Sequence, residues 1–526
     1  MQTTNSLHII DYLIVIVTLL LSIGVGVWFS KRQKNTDNYF TAGGTIPSWA
    51  IGMSILATLI SSITFLAYPG EGYSSNWIRL VQGLMVPIVL VFIVSFIVPL
   101  FRHVIRLSAY EYFEQRFGFF ARLYSSVSFI LTHFSKMGTV FYLISLALGK
   151  MIGIDTVTVI WVIGAAVIIL TVLGGIEAVI WLDVIQGFML IAGGLITLGI
   201  LLFSTEGGPA EIWNVAMENG RIGFGPFDLE FVNLTFIVMA LNGVFYAIQK
   251  YGTDQTIVQR YLTAKSDKGA VKASLMGVIL SVPVWGLFMF IGTALFSYYQ
   301  INGEVLPQGI KTDAIFPYFI MTKLPVGVVG LIISALVAAA VSSLDSDLNC
   351  LSAICLEDYY NRFKPNSPER TKVRLSKLFI VLAGLGAIAV ALFYVKAGGK
   401  GVLGIVFTLY AIFSGGIAGM FLLGIFVPKA NKQGLYYGIG ASVVFTAYAL
   451  LTSTPIGMAG KEKLIVDLGS YNFTHHKYMI GVYSHVVLFV VGLVASYFYK
   501  EEKKIDDRLT FIGWLKLKKS GELIEN

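Results

Sequence analysis

Ala57-Thr58-Leu59-Ile60-Ser61-Ser62-Ile63-Thr64 interrupts an apolar run extending from 47 to 68. Hydroxyls and β-branched residues crowd the middle of a stretch long enough to cross the roughly 30 Å of hydrocarbon in a bilayer. One reading has the hydroxyls bond back to the i−4 carbonyls of an unbroken helix. The other has the helix break, which a membrane tolerates only where the backbone is buried in protein or lines a cavity. A second weak stretch bears on the choice. Asn242-Gly243-Val244-Phe245-Tyr246-Ala247-Ile248-Gln249-Lys250-Tyr251-Gly252, at the end of the apolar run 229–249, mixes glycines, amides and a lysine. The two stretches lie five crossings apart, the spacing of the first helices of two five-helix repeats. Transporters with inverted repeats break helices at matching places in both halves to make binding sites. The pairing favours breaks at both.

The rest of the chain supports a membrane protein. Hydrophobic residues make up 56% of the 526 positions and charged residues 13%, against about 25% charged in soluble domains. Further apolar runs lie near 12–29, 78–101, 123–152, 154–173, 180–203, 270–298, 326–358, 376–397, 401–427, 434–452 and 479–499, making thirteen in all. The net charge of +8 does not indicate nucleic-acid binding, because the Lys and Arg residues sit in short loops between these runs. Membrane topology uses cations in that way. The first run is no signal peptide, since no Lys or Arg precedes it and Lys31, Arg32 and Lys34 follow it. The positive-inside rule then puts the N-terminus outside and the tail from Lys500 in the cytoplasm. Loops with Arg102, Arg106, Arg116 and Arg122, with Arg260, Lys265, Lys268 and Lys272, and with Arg362, Lys364, Arg370, Lys372, Arg374 and Lys377 all fall on that cytoplasmic side. Cys350 and Cys355 lie in an apolar helix without metal spacing and read as small packing residues.

The ninth run holds the richest chemistry, Ala339-Ala340-Val341-Ser342-Ser343-Leu344-Asp345-Ser346-Asp347. On a helix Ser342, Asp345 and Ser346 share one face. A carboxylate at mid-depth costs about 2.5–3.5 kcal/mol on insertion scales, so it needs a partner or water. Hydroxyls, carbonyls and a carboxylate together suit a hard cation. The alternative is a small-residue packing face with Asp345 and Asp347 near the cytoplasmic end. Lys136, in His133-Phe134-Ser135-Lys136-Met137-Gly138, is a further intramembrane charge. It marks a functional site by default, unless it snorkels or pairs with an aspartate.

Gly174-Gly175-Ile176-Glu177-Ala178-Val179-Ile180-Trp181-Leu182-Asp183-Val184-Ile185-Gln186 resembles a hallmark of the sodium/solute symporter family. Gln259-Arg260-Tyr261-Leu262-Thr263-Ala264-Lys265-Ser266 resembles a second, and Ser342-Ser343 a third. The likeness runs through nearly the whole chain from Asp37-Asn38-Tyr39-Phe40 and Ala42-Gly43-Gly44 onward. It implies an all-α, leucine-transporter-like fold of two inverted five-helix repeats, with one helix before and two after. The expected division is a first helix over 1–35, a transport core over 36–430, two helices over 431–500 and a tail over 501–526. The resemblance also implies a sodium site made by the carbonyls of Ala57, Ile60 and Ala339 and the hydroxyls of Ser342 and Ser343. A second sodium would fall at Asp183, Ser342, Asp345 and Ser346, where the family often has a hydroxyl in place of Asp345.

Within the family the chain is most similar to bacterial sialic acid transporters, through Ser30-Lys31-Arg32-Gln33-Lys34, Ser61-Ser62-Ile63-Thr64-Phe65 and Ser108-Ala109-Tyr110-Glu111-Tyr112. That subgroup pairs the sugar carboxylate with an arginine, and Lys136 stands at the corresponding position here. The charge is kept while the bidentate fork is lost. Ser61, Ser62, Thr64 and Gln82 are candidates to face sugar hydroxyls. Phe245, Tyr246 and Tyr251 are candidate gating or stacking aromatics, or plain packing. A neutral sugar, proline or a carboxylate is the alternative solute. The partners implied are a small solute, sodium and the cell membrane, with no nucleic acid and no obligate protein partner. An enzyme is disfavoured, since the six histidines are scattered and no nucleophile-base pair or catalytic carboxylate pair appears. A channel is disfavoured by the lack of repeated pore segments.

Overall fold

The computed structural model describes residues 7–30, 35–396, 415–456, 463–499 and 505–520. Its helices are α1 (Ile9–Ser30), α2 (Ser48–Leu59), α3 (Ser62–Ser74), α4 (Leu80–Val104), α5 (Phe119–Ile152), α6 (Thr156–Ser204) and α7 (Phe236–Gly252). There follow α8 (Gln255–Leu262), α9 (Asp267–Ile301), α10 (Val328–Ile354), α11 (Glu369–Lys396), α12 (Ile417–Phe426), α13 (Lys432–Ser453) and α14 (Tyr478–Phe498). Further helices lie between and after them, and one two-stranded ribbon pairs Pro455–Ile456 with Lys463–Leu464.

Among the described residues nine helices are long and apolar enough to cross a membrane, or up to ten if α2 and α3 form one bent span. This differs from the thirteen apolar runs for identifiable reasons. Runs 154–173 and 180–203 merge into α6, whose 49 residues would extend about 74 Å at 1.5 Å each, far beyond the hydrocarbon. Gly175 interrupts it with φ 58 and ψ −166, a conformation open essentially to glycine alone. The run at 229–249 yields only the 17 residues of α7. The run at 401–427 falls partly outside the described residues, and α12 is its visible end.

The second run breaks where its hydroxyls cluster. α2 stops at Leu59, Ile60 and Ser61 are extended, and α3 leaves at 57° to α2. The second expected break is displaced. Asn242–Gly252 stays helical to its end, and the chain turns at Thr253 and Asp254 before α8 begins. Here Thr253 Oγ1 bonds back to Gln249 O at 2.7 Å and the Asp254 side chain caps α8 through Thr256 N. Asx and Thr capping chemistry thus overrides the glycines as the signal.

α10 lies at the centre, buried continuously from Ile332 to Ile354, and packs on α6 and α1. Its N-terminus is held by Asp11 of α1, whose Oδ1 accepts from Gly327 N and Gly330 N at 2.8 Å each. A carboxylate there satisfies free N–H groups and meets the positive end of the helix dipole. α9 crosses α3 so closely that a Cβ on Gly292 would lie 2.0 Å from Pro69 O, and one on Gly72 2.1 Å from Met289 O. Outward-facing apolar side chains such as Leu20, Leu21, Phe92 and Phe203 remain exposed, as hydrocarbon contact requires. At one end Arg116 donates to the carbonyls of Gly424 in the last turn of α12 and of Val427 and Ala430 just beyond it, and Arg122 pairs with Asp358 and Glu114. The architecture is leucine-transporter-like: a broken first core helix set against a central eighth.

Candidate ion and solute site

The break in α2/α3 ends the i→i−4 ladder, so the carbonyls of the last α2 turn are available to a ligand. α6 and α10 close on that turn. A small cavity there is lined by Leu56, Ala57, Ile60, Gln186, Gly187, Leu190, Ala339 and Ser342. Four of the five residues expected for a first sodium therefore meet around one space. The fifth, Ser343, is fully buried beside them with a hydroxyl that has no hydrogen-bond partner among the described residues. Gln186 Oε1 is likewise unpartnered. Unsatisfied buried oxygens are costly, and a dehydrated cation of small radius is the ligand they fit. Gln186 lies within the quoted hallmark, and its contribution was not read from the sequence.

The residues expected for a second sodium also converge, although a resident cation holds them. Arg260 is fully buried, which corrects its reading as a loop cation. Its Nη2 lies 2.8 Å from both Asp183 Oδ2 and Ser346 Oγ, its Nε donates to Ser54 Oγ at 2.7 Å, and its Nη1 donates to Thr256 O at 2.6 Å. Asp183 accepts from Ser54 and Ser342, each at 2.5 Å. Asp345 is fully buried and neither of its oxygens has a hydrogen-bond partner among the described residues. Arg260 is thus the ion-pair partner of Asp183, and Asp345 stays unpartnered beside that pair among the described residues. Arg260 and Ser54 were missed as site residues. The available signal was that one hallmark supplies a buried acid and the other an arginine.

The solute candidates divide. Ser61 sits in the break, where its hydroxyl accepts from Ile63 N at 3.1 Å and caps α3. Ser62 and Thr64 are buried in the first turn of α3, and Ser62 Oγ has no partner among the described residues. Gln82 lies on α4, the helix against which α7 packs. Lys136 Nζ lies 3.0 Å from the Asp347 carboxylate. Phe245 lies on α7. Its ring stacks on His485 of α14 at 5.2 Å, in a cluster with Met479 and Val482. Tyr251 is fully buried, and its carbonyl accepts from the Tyr261 hydroxyl at 3.0 Å.

The profile of the sodium:solute symporter family matches residues 39–440. The chain is 37% identical over 439 residues to the sodium/sialic acid symporter SiaT of Proteus mirabilis, covering 83% of this chain and 88% of that protein. It is 35% identical over 442 residues to the sodium/sialic acid symporter NanT of Aliivibrio fischeri, covering 84% and 87%. A solved structure of a Na+-coupled sialic acid symporter in a substrate-bound, outward-open state superposes with a TM-score of 0.85 at 33% identity, covering 94% of this chain and 99% of that one.

Proposed function

Since this chain belongs to the sodium:solute symporter family, we propose that it takes up a sialic acid by sodium-coupled symport with alternating access. The observation that carries the reading is the set of unsatisfied buried oxygens between the α2/α3 break and α10. The carbonyls of Ala57, Ile60 and Ala339 and the hydroxyls of Ser342 and Ser343 hold the first sodium. That ion ties the broken helix to α10, so its arrival and departure bias how the two pack. Ser61, Ser62, Thr64 and Gln82 face the sugar hydroxyls, and Lys136 takes the carboxylate.

Counterflow in proteoliposomes tests the solute. Sialic acid should exchange while a neutral hexose, proline and a short carboxylate do not, and replacing sodium with choline should abolish the signal. Exchange of the neutral sugar alone would overturn the assignment. Ser343→Ala removes one ligand of the first sodium. A polar contact to a charged group is worth about 1.5–3 kcal/mol, so half-saturating sodium should rise roughly tenfold or more. Unchanged sodium activation in that variant would remove Ser343 from the site.

Asp183, Ser342, Asp345 and Ser346 take the second sodium beside Arg260. Two sodium ions with one monovalent anion carry one net positive charge inward per cycle. A potential of 100 mV then contributes about 2.3 kcal/mol to accumulation. Uptake should generate inward current, and Asp345→Ala should lower the Hill coefficient for sodium toward one. An electroneutral cycle would point to a single sodium.

We assign the N-terminus to the outside and the tail to the cytoplasm of the cell membrane. The supporting feature is the clustering of Arg102, Arg116, Arg122, Arg362 and Lys372 in segments between alternate apolar runs of the sequence. The first helix over 1–35, the core over 36–430, the two helices over 431–500 and the tail over 501–526 make the corresponding division.

A further inference from the structure

A line of charges runs across three elements beside the proposed solute site. Lys136 Nζ on α5 lies 3.0 Å from Asp347 Oδ1 and 3.0 Å from Asp347 Oδ2 on α10. His133, one turn earlier on α5, places Nε2 3.7 Å from Asp347 Oδ1 and 3.7 Å from Asp254 Oδ2. Asp254, in the turn between α7 and α8, pairs with Lys250 Nζ at 2.7 Å. Two acids and two bases therefore alternate around one imidazole.

Asp347 and Lys136 are unequally placed. The Asp347 side chain is 1% exposed, whereas that of Lys136 is 21% exposed. A buried carboxylate is strongly disfavoured without a cation, so the ammonium cannot be drawn away from Asp347 cheaply. Any solute carboxylate reaching Lys136 meets an acid already there. We infer that Asp347 is the resident counter-ion of Lys136, a specificity-determining acid that the incoming solute carboxylate must displace. This rests on the reading of Lys136 as the solute's partner.

The arrangement has two consequences. The empty site presents no bare cation, so neutral solutes and weak hydrogen-bond acceptors gain nothing from Lys136. Only a full carboxylate replaces what Asp347 supplies. Asp347 also lies on the same helix as Ser342, Ser343 and Asp345. Sodium entering among those residues brings positive charge close to the acid being displaced, which makes anion binding dependent on sodium.

Competition of this kind lowers apparent affinity by the fraction of protein in which Lys136 is free. In purified full-length protein at saturating sodium, calorimetry with N-acetylneuraminate and with its uncharged methyl ester reads that fraction. Asp347→Asn should bind the acid about tenfold tighter or more, while affinity for the ester stays unchanged. In transport, KM for the acid should fall without a rise in kcat. Asp347→Glu, which keeps the charge, should retain the native affinity ratio. If Asp347→Asn is not monodisperse, Asp347→Ser is read in the same way. Acid affinity equal to or weaker than that of the native protein, in either neutral variant, overturns the inference. The pair Lys136→Met/Asp347→Asn separates the two readings. If it binds acid and ester alike while Asp347→Asn fails to tighten, the counter-ion inference alone falls. If it still prefers the acid, the assignment of Lys136 itself falls.

Discussion

Lys136→Met combined with Asp347→Asn is expected to abolish sialic acid uptake while sodium binding persists. On the proposed assignment the ammonium is the partner of the solute carboxylate, which without it enters a poorly hydrated site unpaired. Removing one member of a buried charge pair typically costs on the order of 3–5 kcal/mol, a loss of a hundredfold or more in affinity. The paired design matters. Lys136→Met alone strands Asp347, whose side chain is 1% exposed, so its phenotype mixes lost recognition with lost stability. Neutralising both keeps the charge balance and the methionine keeps the stem. Lys136→Arg should retain much of the uptake, because the charge remains and the fork suits a carboxylate. Normal uptake of the acid by the double variant, measured with radiolabelled solute, would make Lys136 structural and a neutral sugar the better solute.

Arg260→Met should produce the largest loss of stability, and one that sodium partly repairs. The guanidinium makes four polar contacts within a fully buried site, one of them the ion pair with Asp183 at 2.8 Å. Its removal leaves Asp183 buried with no resident cation, at a cost on the order of 3–5 kcal/mol for the broken pair. Sodium binding at the vacated charge stabilises the folded state in proportion to its saturation. Thermal unfolding in detergent should therefore fall steeply in choline chloride and less in sodium chloride. An equal deficit in both salts would mean that Arg260 is a structural strut unconnected with cation binding.

Several of these features were legible in the chain, for reasons of locality. Whether a segment sits in hydrocarbon depends on its own side chains, so the membrane class and most span positions follow from apolar runs. The break at Ile60 and Ser61 is local too, because hydroxyls and β-branched residues weaken a helix within a turn. The second break falls at Thr253 and Asp254, directly after the glycine-bearing stretch Asn242–Gly252, because capping chemistry rather than glycine content sets it.

Partnership between distant charges is a different kind of quantity. Lys136 and Asp347 are separated by 211 positions and Arg260 and Asp183 by 77, and no periodicity records which helix faces face each other. Arg260 sits in a charged segment of the chain and is nonetheless fully buried, because α8 turns inward after Asp254. Phe245 stacks its ring on His485, on a helix distant in the sequence. Local side-chain chemistry is enough to set the solvent in which the chain folds and the place where its first core helix breaks. Which buried charge answers which is set by helix packing, since pairing energy in a low-dielectric interior depends on separations of a few ångströms.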